Sequence, residues 1–249
     1  FANKLIDISA DGADARIITS GSGWTVQNVG FKGAAPALTH GGMANRLATN
    51  GSGTVKHVYI GDGITPSGSR GGCIGVPKSN SGSIDFVEVN VGHASDNGVY
   101  AASTAEGGGG TQHFKRCLLT NNNVSHLRIA SDGTTVDKCA IYNTNDVPLV
   151  STCNCVNSRG IYDGYGSSGQ RVEVTNTHID CTDANTNGAS SAVVASHVTV
   201  SLQDCEVKGG LIGNVETSNV GSNPSNNAPA GCPLTAEEAA NGTSSAQGI

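Results

Sequence analysis

The 249-residue sequence predicts an all-β fold, a right-handed parallel β-helix in which short strands wind into stacked coils. Two short apolar phrases alternate along most of the chain, and the repeating unit is about 22 to 38 residues long. None of these phrases has the length or the 3.6-residue spacing of a helix. Runs of asparagine follow several phrases, and asparagine suits tight corners because it tolerates the left-handed backbone conformation.

The first phrase is a short strand-like alternation of apolar and polar residues. It occupies residues 24–31, 53–60, 83–89, 113–119, 135–141, 172–179 and 200–207. Each copy carries one small residue at the same place, and we expect these residues to stack as one inward-facing column. The column is Val29, Val58, Val87, Cys117, Cys139, Thr177 and Cys205.

The second phrase follows each copy of the first after a loop of variable length. It occupies residues 42–48, 72–77, 98–103, 125–131, 159–164, 191–196 and 210–215. Its aligned apolar residues are Met43, Cys73, Val99, Leu127, Ile161, Val193 and Leu211. Two strands per unit are too few for a propeller blade, which needs about four strands in 40 to 45 residues. A parallel solenoid, in which each strand pairs with its equivalent one coil away, is the arrangement that remains.

The repeat covers residues 1–220 and is followed by a tail, residues 221–249, that is rich in proline and asparagine. In this tail, Thr235 and Glu238 have the spacing of a capping box and Gly242 is a stop signal, which together predict a short helix. We expect the tail to cap the last coil, because the ends of a solenoid need cover. The first coil has no equivalent cover, which predicts self-association or a further N-terminal partner segment.

The eight cysteines divide into two groups by their place in the repeat. Four lie at core positions and are interpreted as buried small apolar residues, with a disulfide within a column or a metal site as alternatives. These four are Cys73, Cys117, Cys139 and Cys205. The others, in loops or the tail, are Cys153, Cys155, Cys181 and Cys232. If the compartment is oxidising, we favour a disulfide from Cys153 or Cys155 to Cys181.

The charge balance excludes some classes of function. The formal net charge is −6, and no excess of Lys and Arg is present to neutralise the phosphates of a nucleic acid. No apolar stretch approaches the roughly 18 residues needed to cross a bilayer, so we expect no membrane insertion. Three N-x-S/T sequons, at Asn50, Asn123 and Asn241, suit a secreted protein. We therefore expect an extracellular, cell-surface or virion location.

Roughly residues 5–220 resemble the pectate-lyase-type right-handed parallel β-helix superfamily, through the two phrases and the asparagine corners. The stretches GSGWTVQNVGFKG, RGGCIGVP, NNNVSHLRIASDG and SRGIYDGYG further resemble uncharacterised secreted β-helix repeat proteins of salt-loving archaea and their viruses. The wider superfamily includes polysaccharide lyases, polysaccharide hydrolases, viral tailspikes and adhesins. The resemblance therefore implies the fold, whereas function has to be argued from a site.

The loop that leads into the second strand of each unit carries polar residues at corresponding places in successive coils. They are His40, Arg70, Asp96, His126 and Arg159. Just beyond them, Tyr100, Arg128 and Tyr162 should point outward, because the residue before each of them points inward. With Asp163, these side chains would form a ribbon that binds an extended polysaccharide or cell-surface glycan, with Tyr on sugar faces and Arg on uronate or sulfate groups. The alternative is a solvated face of unrelated polar residues.

The same ribbon could also support catalysis. The resemblance implies lyases, which use Arg or Lys as a base and often a Ca²⁺ held by clustered acids. Arg70, Arg128 or Arg159 would be that base, but Asp96 and Asp163 are not accompanied by paired acids. We therefore expect a non-catalytic carbohydrate-recognition protein or structural shaft that needs no cofactor. A polysaccharide lyase, with Ca²⁺, and a self-assembling surface or filament subunit are the alternatives.

Overall fold

The fold is taken from a computed structural model, and the structure describes residues 1–7, 15–33, 46–61, 72–101, 109–149, 155–164, 167–182 and 187–249. Within these ranges the strands form one sheet in which every pairing is parallel. The strands are β1 (Ala2–Asp7), β2 (Ile17–Ile18), β3 (Ser22–Lys32), β4 (Leu47–Ala48), β5 (Ser52–Ile60), β6 (Ile74–Gly75), β7 (Ser83–Gly92), β8 (Val99–Tyr100), β9 (Thr111–Lys115), β10 (Leu118–Thr120), β11 (Leu127–Arg128), β12 (Thr134–Asp137), β13 (Ala140–Tyr142), β14 (Ser158–Tyr162), β15 (Arg171–Thr175), β16 (His178–Asp180), β17 (Ser190–Gln203), β18 (Glu206–Lys208) and β19 (Leu211–Ser218).

The strands stack in three ladders along the solenoid. The first phrase forms the ladder β1, β3, β5, β7, β9, β12, β15, β17 and β19. Beyond a corner, a second ladder continues from β7 through β10, β13, β16 and β18. The second phrase forms the ladder β2, β4, β6, β8, β11, β14, β17 and β19. This arrangement confirms the predicted all-β solenoid of parallel strands.

One corner of the solenoid is built from a column of residues in the left-handed backbone region. Their φ angles lie between 49° and 57°, a conformation that asparagine and aspartate adopt more readily than other side chains. The column is Asn3, Asn28, His57, Glu88, Arg116, Lys138, Asn176, Asp204 and Asn219. Neighbouring amides hydrogen-bond along it, as where Asn28 Nδ2 donates to Asn3 Oδ1 at 2.8 Å. The prediction of asparagine at corners therefore holds for this column in part, since basic and acidic residues also occupy it.

From the second coil onward, the residue after the corner points inward, and these residues form the first-phrase column. The register pairs Val58 with Val89, so Val89 takes the place that the sequence alignment gave to Val87. Val87 instead pairs with Lys56 and is half-buried. The error has a simple cause, because two valines flank Glu88 symmetrically and only the corner conformation of Glu88 fixes which one turns inward.

The cysteines of this column are core residues that also complete the backbone hydrogen bonding at the corner. Cys117 N–H donates to Cys139 Sγ at 3.3 Å, and Cys139 N–H donates to Thr177 Oγ1 at 3.2 Å. Thr177 Oγ1 in turn donates to Thr175 O at 2.8 Å, two residues earlier in its own coil. The column cysteines are free thiols with at most 1% of their surface exposed. The core interpretation is therefore confirmed over a disulfide within the column.

The second-phrase column also differs from the sequence alignment by a shift of frame. Its members are Ile17, Leu47, Ile74, Val99, Leu127, Ile161, Val193 and Leu211. Ile74 stands where the alignment placed Cys73, and Leu47 where it placed Met43, which lies outside the described residues. Cys73 is nevertheless fully buried one residue earlier, and its thiol donates to Gly92 O at 3.6 Å.

The tail forms the predicted helix, α1 (Ala236–Asn241). Thr235 Oγ1 accepts from Glu238 N–H at 3.0 Å, and Gly242 ends the helix in the left-handed conformation. The tail runs along one flank from the last coils back to the first, since Ser225 N–H donates to His178 Nδ1 and α1 packs on β1, β3 and β5. The last strand, β19, stays exposed, so the tail does not cover it as expected.

The disulfide predicted to reach Cys181 is wrong. Cys155 is disulfide-bonded, but Cys181 and Cys232 are free and buried, and Cys153 lies outside the described residues. Cys181 faces the interior, where burial raises the pKa of its thiol to about 12. Within the part of the chain that the structure describes, no helix is long and apolar enough to cross a bilayer.

Candidate functional site

The predicted outward-facing residues of the second phrase come together as a stack on the outer side of their strands, where Tyr100 and Tyr162 are half-buried and Arg128 is 8% exposed. The register places Arg128 directly between Tyr100 and Tyr162 on neighbouring parallel strands. The Arg128 Cζ atom lies 4.6 Å from the centroid of the Tyr100 ring and 5.4 Å from that of Tyr162. Both distances suit a cation–π interaction, so these three residues form a guanidinium held between two aromatic rings. We refer to Tyr100, Arg128 and Tyr162 as the central stack.

Arg159 adds a second guanidinium beside the central stack. Its Cζ atom lies 5.2 Å from the centroid of the Tyr162 ring, and Nη1 donates to Val124 O at 3.0 Å. Burial lowers the pKa of Arg159, and the nearby Arg128 guanidinium lowers it further. Among the ion pairs of the described residues, none includes Arg159. Two crowded guanidinium groups favour an anionic ligand, which would relieve their mutual repulsion.

The central stack lies in the middle of a longer outward-facing column. Toward the first coil the column continues through Gly75, Ala48 and Ile18, and toward the last coil through Val194 and Ile212. With strands about 4.8 Å apart, these eight positions extend over roughly 34 Å. The column therefore offers an extended path parallel to the solenoid axis, which suits a linear chain.

The predicted ribbon residue His126 does not belong to this face. It is fully buried, and its Nδ1 lies 3.0 Å from the amide nitrogen of Asn122. Burial lowers the pKa of His126 to about 3, so its imidazole is neutral. His126 lies just before β11, and the amides of Asn122 and Asn143 contact its ring inside the solenoid. The prediction that His126 contacts a glycan is therefore wrong.

The two predicted carboxylates are buried as well. Asp96 is 2% exposed and accepts from Asn97 N–H at 2.9 Å. Asp163 is fully buried and accepts from the backbone N–H groups of His197 at 2.5 Å and Val198 at 3.2 Å. Both groups bind backbone or neighbouring amides instead of presenting oxygens on the outer face. The predicted glycan contacts of Asp96 and Asp163 are therefore not available there.

Two further ribbon residues, His40 and Arg70, lie outside the described residues. The sequence prediction thus brings together four of its site residues on one face: Tyr100, Arg128, Arg159 and Tyr162. It missed the small and aliphatic residues Ile18, Ala48 and Gly75. These residues occupy, in earlier coils, the position that Tyr100 occupies in its own coil. The sequence reveals this equivalence only when the second-phrase strands are aligned in the register that the structure shows.

Metal binding can be assessed from the same side chains. Among the residues that the structure describes, no group of three or more His, Cys, Asp or Glu side chains is arranged to hold a metal ion. Asp96 Oδ1 and Asp163 Oδ2 accept from amide N–H groups, and Asp163 Oδ1 is buried without a partner among the described residues. They do not fit the cluster of exposed oxygens that Ca²⁺ requires.

The fold and the surface together define a parallel β-solenoid protein with an aromatic and guanidinium stack on its outer face. Comparison with protein-family models, with curated proteins and with solved structures finds no match. The function therefore has to be argued from the face itself.

Proposed function

We propose that this protein binds an extended acidic polysaccharide along the outer face that contains the central stack, without cleaving it. The observation that carries the proposal is the alternation of Tyr100, Arg128 and Tyr162 on adjacent strands, with Arg159 beside them. A tyrosine ring offers an apolar face to the C–H groups of a sugar. A guanidinium offers paired donors to a carboxylate or sulfate.

The geometry favours a polymer over a small molecule. The side chains repeat with the strands, about every 4.8 Å, along a straight line rather than around a closed cavity. Rigid backbone ladders hold them, so little conformational entropy is lost when a ligand binds. A solenoid is well suited to present such a line of contacts.

We further propose that the solenoid is a right-handed parallel β-helix of the pectate-lyase type. We also propose that the protein is extracellular, on a cell surface or on a virion. The disulfide at Cys155 supports an oxidising compartment. The free thiols, such as Cys139, are buried, which protects them in such a compartment.

The test is calorimetric titration with two probes, a uronic-acid hexasaccharide and a neutral glucose hexasaccharide. We expect binding of the acidic probe only, with an affinity that falls as salt is added. Arg128→Gln should weaken binding roughly 10- to 100-fold, because charged hydrogen bonds contribute about 1.5–3 kcal/mol. Tyr162→Ala should weaken binding as well, since Tyr162 contacts both guanidinium groups.

The matched control is Lys56→Gln, which removes an exposed cation from the first-phrase ladder. It should leave the affinity unchanged, and circular dichroism should show that every variant is folded. Equal binding of the neutral hexasaccharide, or equal losses in Arg128→Gln and Lys56→Gln, would refute the proposal.

A second candidate, a polysaccharide lyase, is favoured by one observation. Burial and the neighbouring Arg128 lower the pKa of Arg159, which is the direction required of a general base. The same titration mixtures distinguish this candidate, because a lyase releases an unsaturated uronate that absorbs ultraviolet light. Product that appears with the wild type and disappears with Arg159→Gln would replace the binding proposal with a lyase.

A further inference from the structure

A groove adjoins the central stack on the side of the first coils. Tyr100 forms one end of it and Ile18 the other, and Ala48 and Gly75 form its floor. Its volume is about 450 Å³. The groove exists because Ala48 and Gly75 occupy the positions at which later coils carry Tyr100, Arg128 and Tyr162. The missing side chains leave a depression in the outer face.

The groove is continuous with the central stack but differs from it in chemistry. Tyr100 belongs to both, so a chain lying on the central stack and extending toward the first coil must enter the groove. Lys78 is the one charged side chain among the described lining residues, and most of the lining is apolar. The stack and Arg159, by comparison, present two guanidinium groups. A ligand that matches both parts is anionic at one end and weakly polar at the other.

A threonine that lines the groove carries a hydroxyl without a hydrogen-bond partner in the part of the chain that the structure describes. Thr19 lines the groove, and its Oγ1 atom is buried with no hydrogen bond among the described residues. A buried donor without an acceptor is unfavourable, so this hydroxyl gains from any acceptor that comes within reach. Rotation about the Cα–Cβ bond of Thr19 would let this hydroxyl donate to an acceptor on a ligand in the groove.

We infer that the groove binds O-acetylated sugar residues of the acidic polysaccharide, an inference that rests on the proposed function. An O-acetyl group combines the two features that the groove requires. Its methyl group is apolar and suits the surface between Ile18 and Tyr100, and its carbonyl oxygen accepts a hydrogen bond and suits Thr19. Ala48 and Gly75 leave the space that such a substituent needs.

The test compares an O-acetylated uronic-acid hexasaccharide with the same hexasaccharide after alkaline deacetylation. Wild-type protein should bind the acetylated probe roughly three- to tenfold more tightly, the effect expected of burying a methyl group and forming a hydrogen bond. Ala48→Leu fills the groove floor and should abolish this preference, so that the two probes bind the variant with equal affinity. Thr19→Val should reduce the preference without filling the groove.

The matched control is Ala230→Leu, the same change at an exposed alanine of the tail. It should preserve the preference for the acetylated probe. Equal wild-type affinity for the two probes, or a preference that survives Ala48→Leu, overturns the inference and leaves the proposed function standing. Failure of the wild type to bind either probe overturns the proposed function and the inference together.

Discussion

The hydroxyl of Thr177 provides a quantitative test of how the corner of the solenoid is stabilised. Thr177 is fully buried, accepts from Cys139 N–H at 3.2 Å and donates to Thr175 O at 2.8 Å. Thr177→Val removes both hydrogen bonds with little change of shape, and valine already fits the same column at Val29 and Val58. The loss therefore reports hydrogen bonding more than packing.

The expected magnitude follows from the two bonds. Each contributes about 1 kcal/mol net, and the substitution leaves the buried N–H of Cys139 without an acceptor, whereas Thr175 O still accepts from Lys138 N–H at 3.1 Å. We expect the free energy of unfolding to fall by about 2 kcal/mol, a factor of roughly 30 in the unfolding equilibrium. In urea, with an m value of about 3 kcal/mol per molar, the midpoint should fall by about 0.7 M at constant m.

The matched control is Thr175→Val, which makes the same chemical change at an outward-facing, half-buried position. There the hydroxyl donates to Asp137 Oδ1, at 2.9 Å. We expect a loss below about 0.5 kcal/mol, as is usual for surface substitutions. If Thr177→Val and Thr175→Val destabilise the protein equally, the corner does not depend on the inward hydroxyl or thiol, and our reading of the cysteine column is refuted.

Two further predictions concern His126 and the tail. Because the pKa of His126 is about 3 when folded and near 6.5 when unfolded, the unfolded state binds an extra proton between these values. The free energy of unfolding should therefore fall by about 1.4 kcal/mol for each pH unit as the pH is lowered from 6.5 toward 3. Denaturation at pH 7 and pH 5 should show that His126→Gln loses this component of the slope; an unchanged slope contradicts the assignment. A Cβ at Gly30 would collide with the backbone of Ala236, so Gly30→Ala should release the tail to limited proteolysis, whereas Gly210→Ala, with its nearest neighbour at 3.6 Å, should not. A tail equally protected in both variants would show that α1 does not depend on this contact.

The sequence predicted the solenoid because its periodicity is a property of each coil, but it could not fix every register. Val87 and Val89 flank Glu88 with identical chemistry, so alternation alone cannot decide between them. The corner at Glu88 determines which valine turns inward. Glu88 adopts a left-handed backbone conformation there, which a glutamate in the sequence does not predict. The sequence alignment chose Cys73 where the structure has Ile74, because both residues are apolar and adjacent and the sequence does not distinguish them.

The candidate site was predictable to the extent that alternation governs it. Tyr100, Arg128 and Tyr162 follow inward-facing residues, and alternation therefore predicts that they share the opposite side of their strands, where the register aligns them. His126 was misplaced because its burial depends on Asn122, which reaches it from the preceding turn of the same coil. The sequence also did not predict where the tail packs. The tail lies against Gly30, and the absence of a side chain there is what lets Ala236 approach.

The most direct test of the account is a crystal structure of the protein with a uronic-acid hexasaccharide. We expect the sugar chain to lie parallel to the solenoid axis, with rings against Tyr100 and Tyr162 and a carboxylate within hydrogen-bonding distance of Arg128. A hexasaccharide bound on the tail flank, or a central stack left bare at saturating ligand, would contradict the account.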